Sequence, residues 1–396
     1  MRLVVIAPYF PPDPTGSSVF AYQQALDLRS DGNEVLVVTN TPDPSAPEWR
    51  ENPDETLRSA GVGLLRLRNI RINLGSMSWN YRLPLSLPGL LNPRFWKRLT
   101  AHSADGVIIH STLFDLSIFA LAWCALTRKR NVLVCHTAIW HDNPTVRRVM
   151  RIFGRYVLRP LCRLGKSRIV CVDKFTYENA RELLGNGLDY SAIPVSVEIS
   201  SVSGGSGDRV GAKYGITGSP VLLSLGHVIP LRNRVNLVNS LPLLRERFPA
   251  LQVVIVGMVK DTTALELAER LGVRDSLLLT GAVEHSEVGD LLALADVELH
   301  DLNGLGLGIT SVEAMAAGTP IVAWVDPDNY PGIDRSSLDR SGFINDGNPA
   351  TIADTVERIV NDPSFKKDVI DWQHGIVDSV FSSRAVNDQY VRLLTD

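Results

Sequence analysis

Residues 295–325 read ADVELHDLNGLGLGITSVEAMAAGTPIVAWV, and the order of features in this stretch decides the fold. An apolar run, Val297–Leu299, meets Gly304, Gly306 and Gly308 on alternate positions; a short helix and a second apolar run follow. Glycines just ahead of a helix let the backbone come close to a ligand. The first helical N–H groups have no partner inside the helix, so the two features together predict an anion site. Glu313 falls on the first turns of that helix, placed to accept hydrogen bonds from a sugar hydroxyl. A tight strand–helix connection also uses glycines for the turn alone, so the rest of the chain has to decide between the two.

Length and composition narrow the class. With 396 residues, 45% hydrophobic and 21% charged, the chain is predicted to form two ordinary soluble domains. A net charge of −3 gives no global signal for nucleic acid. The four cysteines, Cys124, Cys135, Cys162 and Cys171, show no CxxC pairing and read as free thiols in a reducing compartment, not a disulfide frame or zinc site. The apolar run Leu3–Ala7 meets Pro8, Pro11 and Pro12 too soon for a signal peptide. The longest apolar window, Ser117–Leu126, is too short to span a bilayer. A cytoplasmic location is expected.

Outward from the opening stretch, strands and helices alternate through both halves. Leu3–Ala7, Glu34–Thr39, Val62–Leu67, Gly106–His110, Asn131–Cys135, Arg168–Val172 and Ser191–Pro194 read as strands of the first half, and Val19–Leu28 as a helix. Ser200–Gly207 (SSVSGGSG) is the clearest linker. Beyond it Val221–Leu225, Leu251–Val256, Leu277–Thr280 and Val297–Leu299 read as strands, with helices at Asn236–Arg247, Thr263–Leu271 and Val288–Leu294. Such alternation predicts an α/β protein with two doubly wound parallel sheets, whose ligands sit at the carboxyl ends of strands.

These residues resemble glycosyltransferase family four, of the GT-B fold. The resemblance is carried by APYFPPDPTGSSVFAYQQALDLRSDGNEVLVVT at the start, LSLGHVIPLR, PALQVVIVG, LTGAVEHSEVGDLLALADVEL, GLGLGITSVEAMAAGTPIVA and FSSRAVNDQYVRLL at the end. It implies two Rossmann-like domains facing a central cleft: 1–198 on the acceptor side, with the helix 375–396 packing back on it, and 199–374 binding the donor. It further implies retaining transfer of a sugar from a nucleotide-sugar donor to an acceptor, without metal or other cofactor. A UDP- or GDP-sugar is expected ahead of a dTDP-sugar.

The resemblance also assigns residues. Glu313 takes the place of the glutamate that holds the donor ribose. The backbone around Gly306, Gly308, Ile309 and Thr310 faces the diphosphate, and Gly16 and Ser17 bring the first domain's backbone to the same group. His136, at the end of the VLVCH strand, faces the reacting sugar and is the catalytic candidate together with Arg232. The family's arginine and lysine for the leaving diphosphate, five residues apart, correspond to His227 and Arg232. Arg232 offers a forked donor for phosphate, whereas His227 is a departure, since a neutral imidazole supplies one donor. Arg234 lies close enough to compensate, although an arginine at a surface helix start is ordinarily solvated. A larger departure is Leu305, where the family carries a glutamate at the reacting centre; Asp301 and Asn303, with His300 also in range, either reach the sugar from another angle or are loop polar groups meeting water. His110 also ends a strand, with structural duty the expected role, and His141 is a further polar candidate.

The acceptor leaves one clue. Thr145–Arg168 holds eight basic residues and no acidic one. On a helical wheel Arg147, Arg148, Arg151, Arg155, Arg159 and Arg163 fall on one side, with apolar residues on the other and a kink expected at Pro160. Either the apolar face packs on the core with the arginines in water, or the helix docks on an anionic membrane surface. The segment Trp79–Arg98 adds aromatic and basic groups suited to an interface. The expectation is a lipid-linked or glycan acceptor in cell-surface polysaccharide assembly, a peripheral position at the inner face of the membrane, and no nucleic acid. A nucleotide-sugar epimerase of the same fold and an inactive nucleotide-sugar binder are the alternatives. Asp326-Pro327-Asp328 looks like a DxD metal motif but follows a strand in the wrong architecture, and reads as a loop.

Overall fold

The computed structural model describes residues 1–13, 15–44, 52–72, 82–136, 143–197, 205–229, 234–304, 306–330, 333 and 335–396. The chain forms two compact units, Met1–Val195 with Ser383–Asp396, and Ser196–Ser382.

The first unit is built on β1 (Arg2–Ala7), β2 (Glu34–Asn40), β3 (Gly63–Leu67), a small antiparallel pair β4 (Ile70–Ile72) and β5 (Leu83–Leu85), then β6 (Gly106–His110), β7 (Arg130–Cys135), β8 (Arg168–Cys171) and β9 (Asp189–Ala192). Seven of these make one sheet in the order β3-β2-β1-β6-β7-β8-β9, every pairing parallel. The strands are apolar on both faces because helices cover both. Leu3, Val5 and Ala7 pack into one core with Phe20 and Leu28, while Val4 and Ile6 pack into the other with Leu116 and Leu121. The order reverses between β1 and β6, the switch point at which such sheets bind ligands.

The terminal helix Ser383–Thr395 inserts Val386, Tyr390 and Leu394 into the first of those cores. Residues 375–382 correct the sequence reading: they end the helix Pro363–Ile376 and form the π-helical turn Val377–Phe381, and both belong to the second unit. The other boundary falls at Val195, three residues ahead of the expected 198.

The second unit restarts the pattern with β10 (Val221–Leu225), β11 (Gln252–Val256), β12 (Leu277–Gly281) and β13 (Val297–Glu298), paired in parallel in the order β12-β11-β10-β13. β14 (Ala323–Trp324) and β15 (Phe343–Ile344) form a further parallel pair. Leu222, Val253 and Ile255 face one core, and Leu223, Leu225, Val254 and Val256 the other. Here the order reverses between β10 and β13, so the residues that follow these two strands occupy the switch point.

The basic stretch departs from a single kinked helix. The helix Pro144–Phe153 gives way to a π-helical turn, Gly154–Leu158, and then to the helix Arg159–Leu164. The irregularity lies one turn ahead of Pro160, where the Arg159 amide reaches back to the Gly154 carbonyl. Gly154 is required there, because a Cβ would lie 2.5 Å from the Leu183 carbonyl oxygen. The apolar side chains also divide: Leu158 and Cys162 are buried, whereas Val149, Ile152 and Tyr156 stand in solvent at 59, 50 and 78% exposure. Among the described residues no helix is long and apolar enough to cross a membrane.

Candidate functional site

The glycine loop after β13 opens the helix Ile309–Ala317, with Gly308 as its N-cap. The glycines serve different ends. Gly304 and Gly306 adopt positive φ of 74° and 109°, and a Cβ on Gly306 would meet the Tyr330 hydroxyl at 2.8 Å. Gly308 has an ordinary φ of −75°. The Tyr330 hydroxyl accepts the Leu307 amide at 2.6 Å, and the Ser311 and Val312 amides turn back to the Gly308 carbonyl. The amides of Ile309 and Thr310 bond to nothing among the described residues, and the Thr310 hydroxyl is buried without a partner. Two open amides and an unsatisfied hydroxyl at the positive end of a helix form a cradle for an anion.

Charges buried beneath the loop hold this cradle in place. The Asp301 carboxylate accepts the Gly308 amide at 2.5 Å and the Ser311 hydroxyl at 2.8 Å. His300 lies 3.7 Å from Asp301 and bonds to the Arg234 guanidinium at 3.0 Å. Arg234 also donates to the Ser224 hydroxyl and the Gly226 carbonyl, both at 2.9 Å. These contacts correct the sequence reading in two places. Arg234 is 1% exposed, no solvated helix-start arginine, and Asp301 and His300 are buried supports of the loop, not loop polar groups meeting water. Glu298, wholly buried beside Asp301, shares the Ser311 hydroxyl at 3.3 Å; burial foremost, and then the Asp301 charge, pushes its pKa up to about 8.

Glu313 stands one turn into the same helix, half-buried, with no hydrogen bond or ion pair among the described residues. Burial alone raises its carboxyl to about 7. An acceptor desolvated yet unpartnered beside an anion cradle suits the hydroxyls of a nucleotide ribose. His227 follows β10 and is exposed; the Met258 amide donates to its Nδ1 at 3.0 Å, which puts the ring proton on Nε2. Arg232, Leu305, His141 and the aromatic residues Trp79 and Tyr81 lie outside the described residues. Asp326 caps the short helical turn Pro327–Asn329 by accepting the Asp328 amide at 3.0 Å.

In the first unit, β1 leads into the helix Gly16–Ser30, whose N-cap Thr15 forms a capping box with Ser18. The capping box leaves the Gly16 and Ser17 amides unbonded among the described residues. Gly16 is exposed, has no positive φ, and a Cβ there would meet nothing within 4 Å. The fold itself therefore does not demand glycine at this position. One turn on, the Phe20 ring lies edge-on to both His110 and His136, with centroids 5.8 and 5.5 Å away. His110 ends β6, His136 follows β7, and His110 Nδ1 lies 2.8 Å from His136 Nε2. Sequence reasoning had both histidines at strand ends but not their bond, nor Tyr330 and Ser311 as supports of the glycine loop.

Comparison with known proteins agrees with this layout. Residues 14–198 match the model of Glycosyltransferase Family 4, and residues 209–371 that of Glycosyl transferases group 1. A GDP-mannose-dependent alpha-(1-6)-phosphatidylinositol monomannoside mannosyltransferase of Mycobacterium tuberculosis is 26% identical over 334 residues, 80% of either chain. A phosphatidyl-myo-inositol mannosyltransferase of Mycobacterium leprae is 28% identical over 369 residues, covering 93% of this chain and 89% of the relative. Among solved structures, Anabaena HepE in complex with UDP superposes over 100% of both chains with a TM-score of 0.67 at 16% identity. The chain belongs to the family-four glycosyltransferases: it is a glycosyltransferase of GT-B fold, with two Rossmann-like domains, that uses a nucleotide-sugar donor.

Proposed function

We propose that the protein transfers a sugar, with retention at the anomeric carbon and without a metal, from a UDP- or GDP-sugar to a lipid-linked acceptor in cell-surface polysaccharide assembly. The observation that carries the donor reading is the start of the helix Ile309–Ala317. There two open amides and the Thr310 hydroxyl receive the diphosphate, while Glu313 one turn on receives the ribose. His227 with its Nε2 proton, and Arg232, offset the charge that develops on the leaving diphosphate. Donors of this kind in a closed site contribute about 3–4 kcal/mol each. Gly16 and Ser17 present their amides to the same group from the first unit, and His136 faces the reacting sugar.

The lipid acceptor is supported by two independent features. The M. tuberculosis and M. leprae relatives are named for acceptors that carry phosphatidylinositol. In this chain Arg148, Arg151, Arg155 and Arg163 are exposed beside Val149, Ile152 and Tyr156, a mixture of cations and apolar side chains suited to an anionic leaflet. On this reading the enzyme works peripherally at the inner face of the membrane.

A panel of UDP-, GDP- and dTDP-sugars, read by thermal shift and by release of nucleoside diphosphate, tests the proposal. Stabilisation by a UDP- or GDP-sugar, lost in Glu313→Ala, and release of the diphosphate are expected. Binding without release would instead make the protein a nucleotide-sugar binder, the reading that Leu305 favours. Interconversion of sugars without net release would make it an epimerase.

A further inference from the structure

We infer that His110 is a positioning residue that locks His136 into the tautomer with its proton on Nδ1, so that His136 offers the reaction site a hydrogen-bond donor. The inference rests on the proposed place of His136 beside the transferred sugar, and it adds the residue behind it and the sign of the hydrogen bond it makes.

The sheet register creates the pair. His110 lies opposite Val134 on the parallel strands β6 and β7, and His136, two residues beyond Val134, projects on the same side. The two rings are nearly parallel, at 14° with centroids 5.0 Å apart, and His110 Nδ1 meets His136 Nε2 at 2.8 Å. One proton occupies that contact. Both rings are neutral at pH 7: burial holds His136 down at about 4 and His110 well below its ordinary value, the latter with a further contribution from His136. Each neutral imidazole carries a single N–H.

The other nitrogen of His110 decides which ring supplies the shared proton. His110 Nε2 is buried and has no hydrogen-bond partner among the described residues. Were His136 the donor, the His110 proton would sit on Nε2, a buried N–H with no acceptor among the described residues. With His110 the donor, Nε2 carries only a lone pair. An orphaned buried N–H is the rarer and costlier arrangement, so His110 donates and the proton of His136 moves to Nδ1. Beyond this pair neither ring makes a further polar contact among the described residues. His136 Nδ1–H can then hydrogen-bond to an oxygen lone pair, such as that of a sugar hydroxyl, and cannot remove a proton from it.

The test is a long-range proton–nitrogen correlation spectrum of the full-length protein labelled with nitrogen-15 histidine, at pH 7.5, with His136→Gln assigning the signal. A protonated Nδ1 and a bare Nε2 at His136 are expected; a protonated Nε2, or a tautomeric average, overturns the inference. In turnover assays His110→Asn, whose amide N–H replaces the Nδ1 donor, should retain kcat within about threefold. His110→Leu should lower kcat by about tenfold or more with the donor KM unchanged. Equal losses in the two His110 variants would contradict the tautomer role. Unchanged turnover in His136→Ala would instead remove His136 from the reaction, leaving the wild-type spectrum to judge the tautomer by itself.

Discussion

Asp301 holds Gly308: its Oδ2 accepts the Gly308 amide at 2.5 Å and, through the same oxygen, the Ser311 hydroxyl at 2.8 Å. One buried carboxylate thus fixes both the residue before the helix Ile309–Ala317 and the third residue within it. The two open amides between them are aimed by that clamp. Asp301→Ala should leave a buried N–H and the Arg234–His300 pair without their acid, at a cost of about 2–3 kcal/mol. Urea unfolding of the variant should show this loss together with weakened donor binding. Wild-type stability in Asp301→Ala would contradict the clamp.

Gly16 separates ligand approach from folding. No neighbour lies where an alanine Cβ would go, so Gly16→Ala should keep stability, with a gain of at most about 1 kcal/mol. If the first unit's backbone approaches the diphosphate at this point, kcat/KM should fall by about tenfold, equivalent to about 1.4 kcal/mol. Wild-type kinetics in a stable Gly16→Ala protein would remove Gly16 from the donor site.

Glu313 gives donor binding a pH dependence with a defined sign. In the free protein its pKa is raised to about 7 by burial, and ribose hydroxyls donating to the carboxylate would lower it. Binding then releases a proton, so donor affinity should climb with pH up to about 7 and level off above. Below that pH the slope approaches about tenfold per unit. Titration calorimetry from pH 5.5 to 8.5 should show this rise in the wild type and its loss in Glu313→Gln. The same profile in both proteins would mean that Glu313 does not meet the donor.

The exposed arginines predict membrane association that depends on salt. Arg148, Arg155 and Arg163 stand in solvent, and each contributes about 1 kcal/mol at an anionic surface. The triple glutamine variant should bind phosphatidylglycerol-containing vesicles about a hundredfold more weakly in a sedimentation assay, and the wild type should detach as salt is raised. Equal vesicle binding by variant and wild type would place the docking surface elsewhere.

Local chemistry was legible in the sequence; burial and long-range convergence were not. The apolar runs fixed the parallel strands to within a few residues, as with Val221–Leu225, because buried strands must be apolar on both faces. The cysteines are free, as their spacing predicted, and the fold buries all four. Arg234, by contrast, looks like any helix-start arginine until the fold brings Ser224, Gly226 and His300 around it. Asp301 and His300 look like loop polar groups for the same reason. The alternation of Gly304, Gly306 and Gly308 suggested one common role, yet two supply positive φ and the third caps a helix. The His110–His136 bond follows from strand register, which no local pattern around either histidine records.

A crystal structure of the protein with bound UDP or GDP is the most direct measurement. Diphosphate oxygens are expected within about 3 Å of the Ile309 and Thr310 nitrogens, with the ribose hydroxyls on Glu313. A nucleotide seated elsewhere, with those two amides turned to solvent, would contradict this placement.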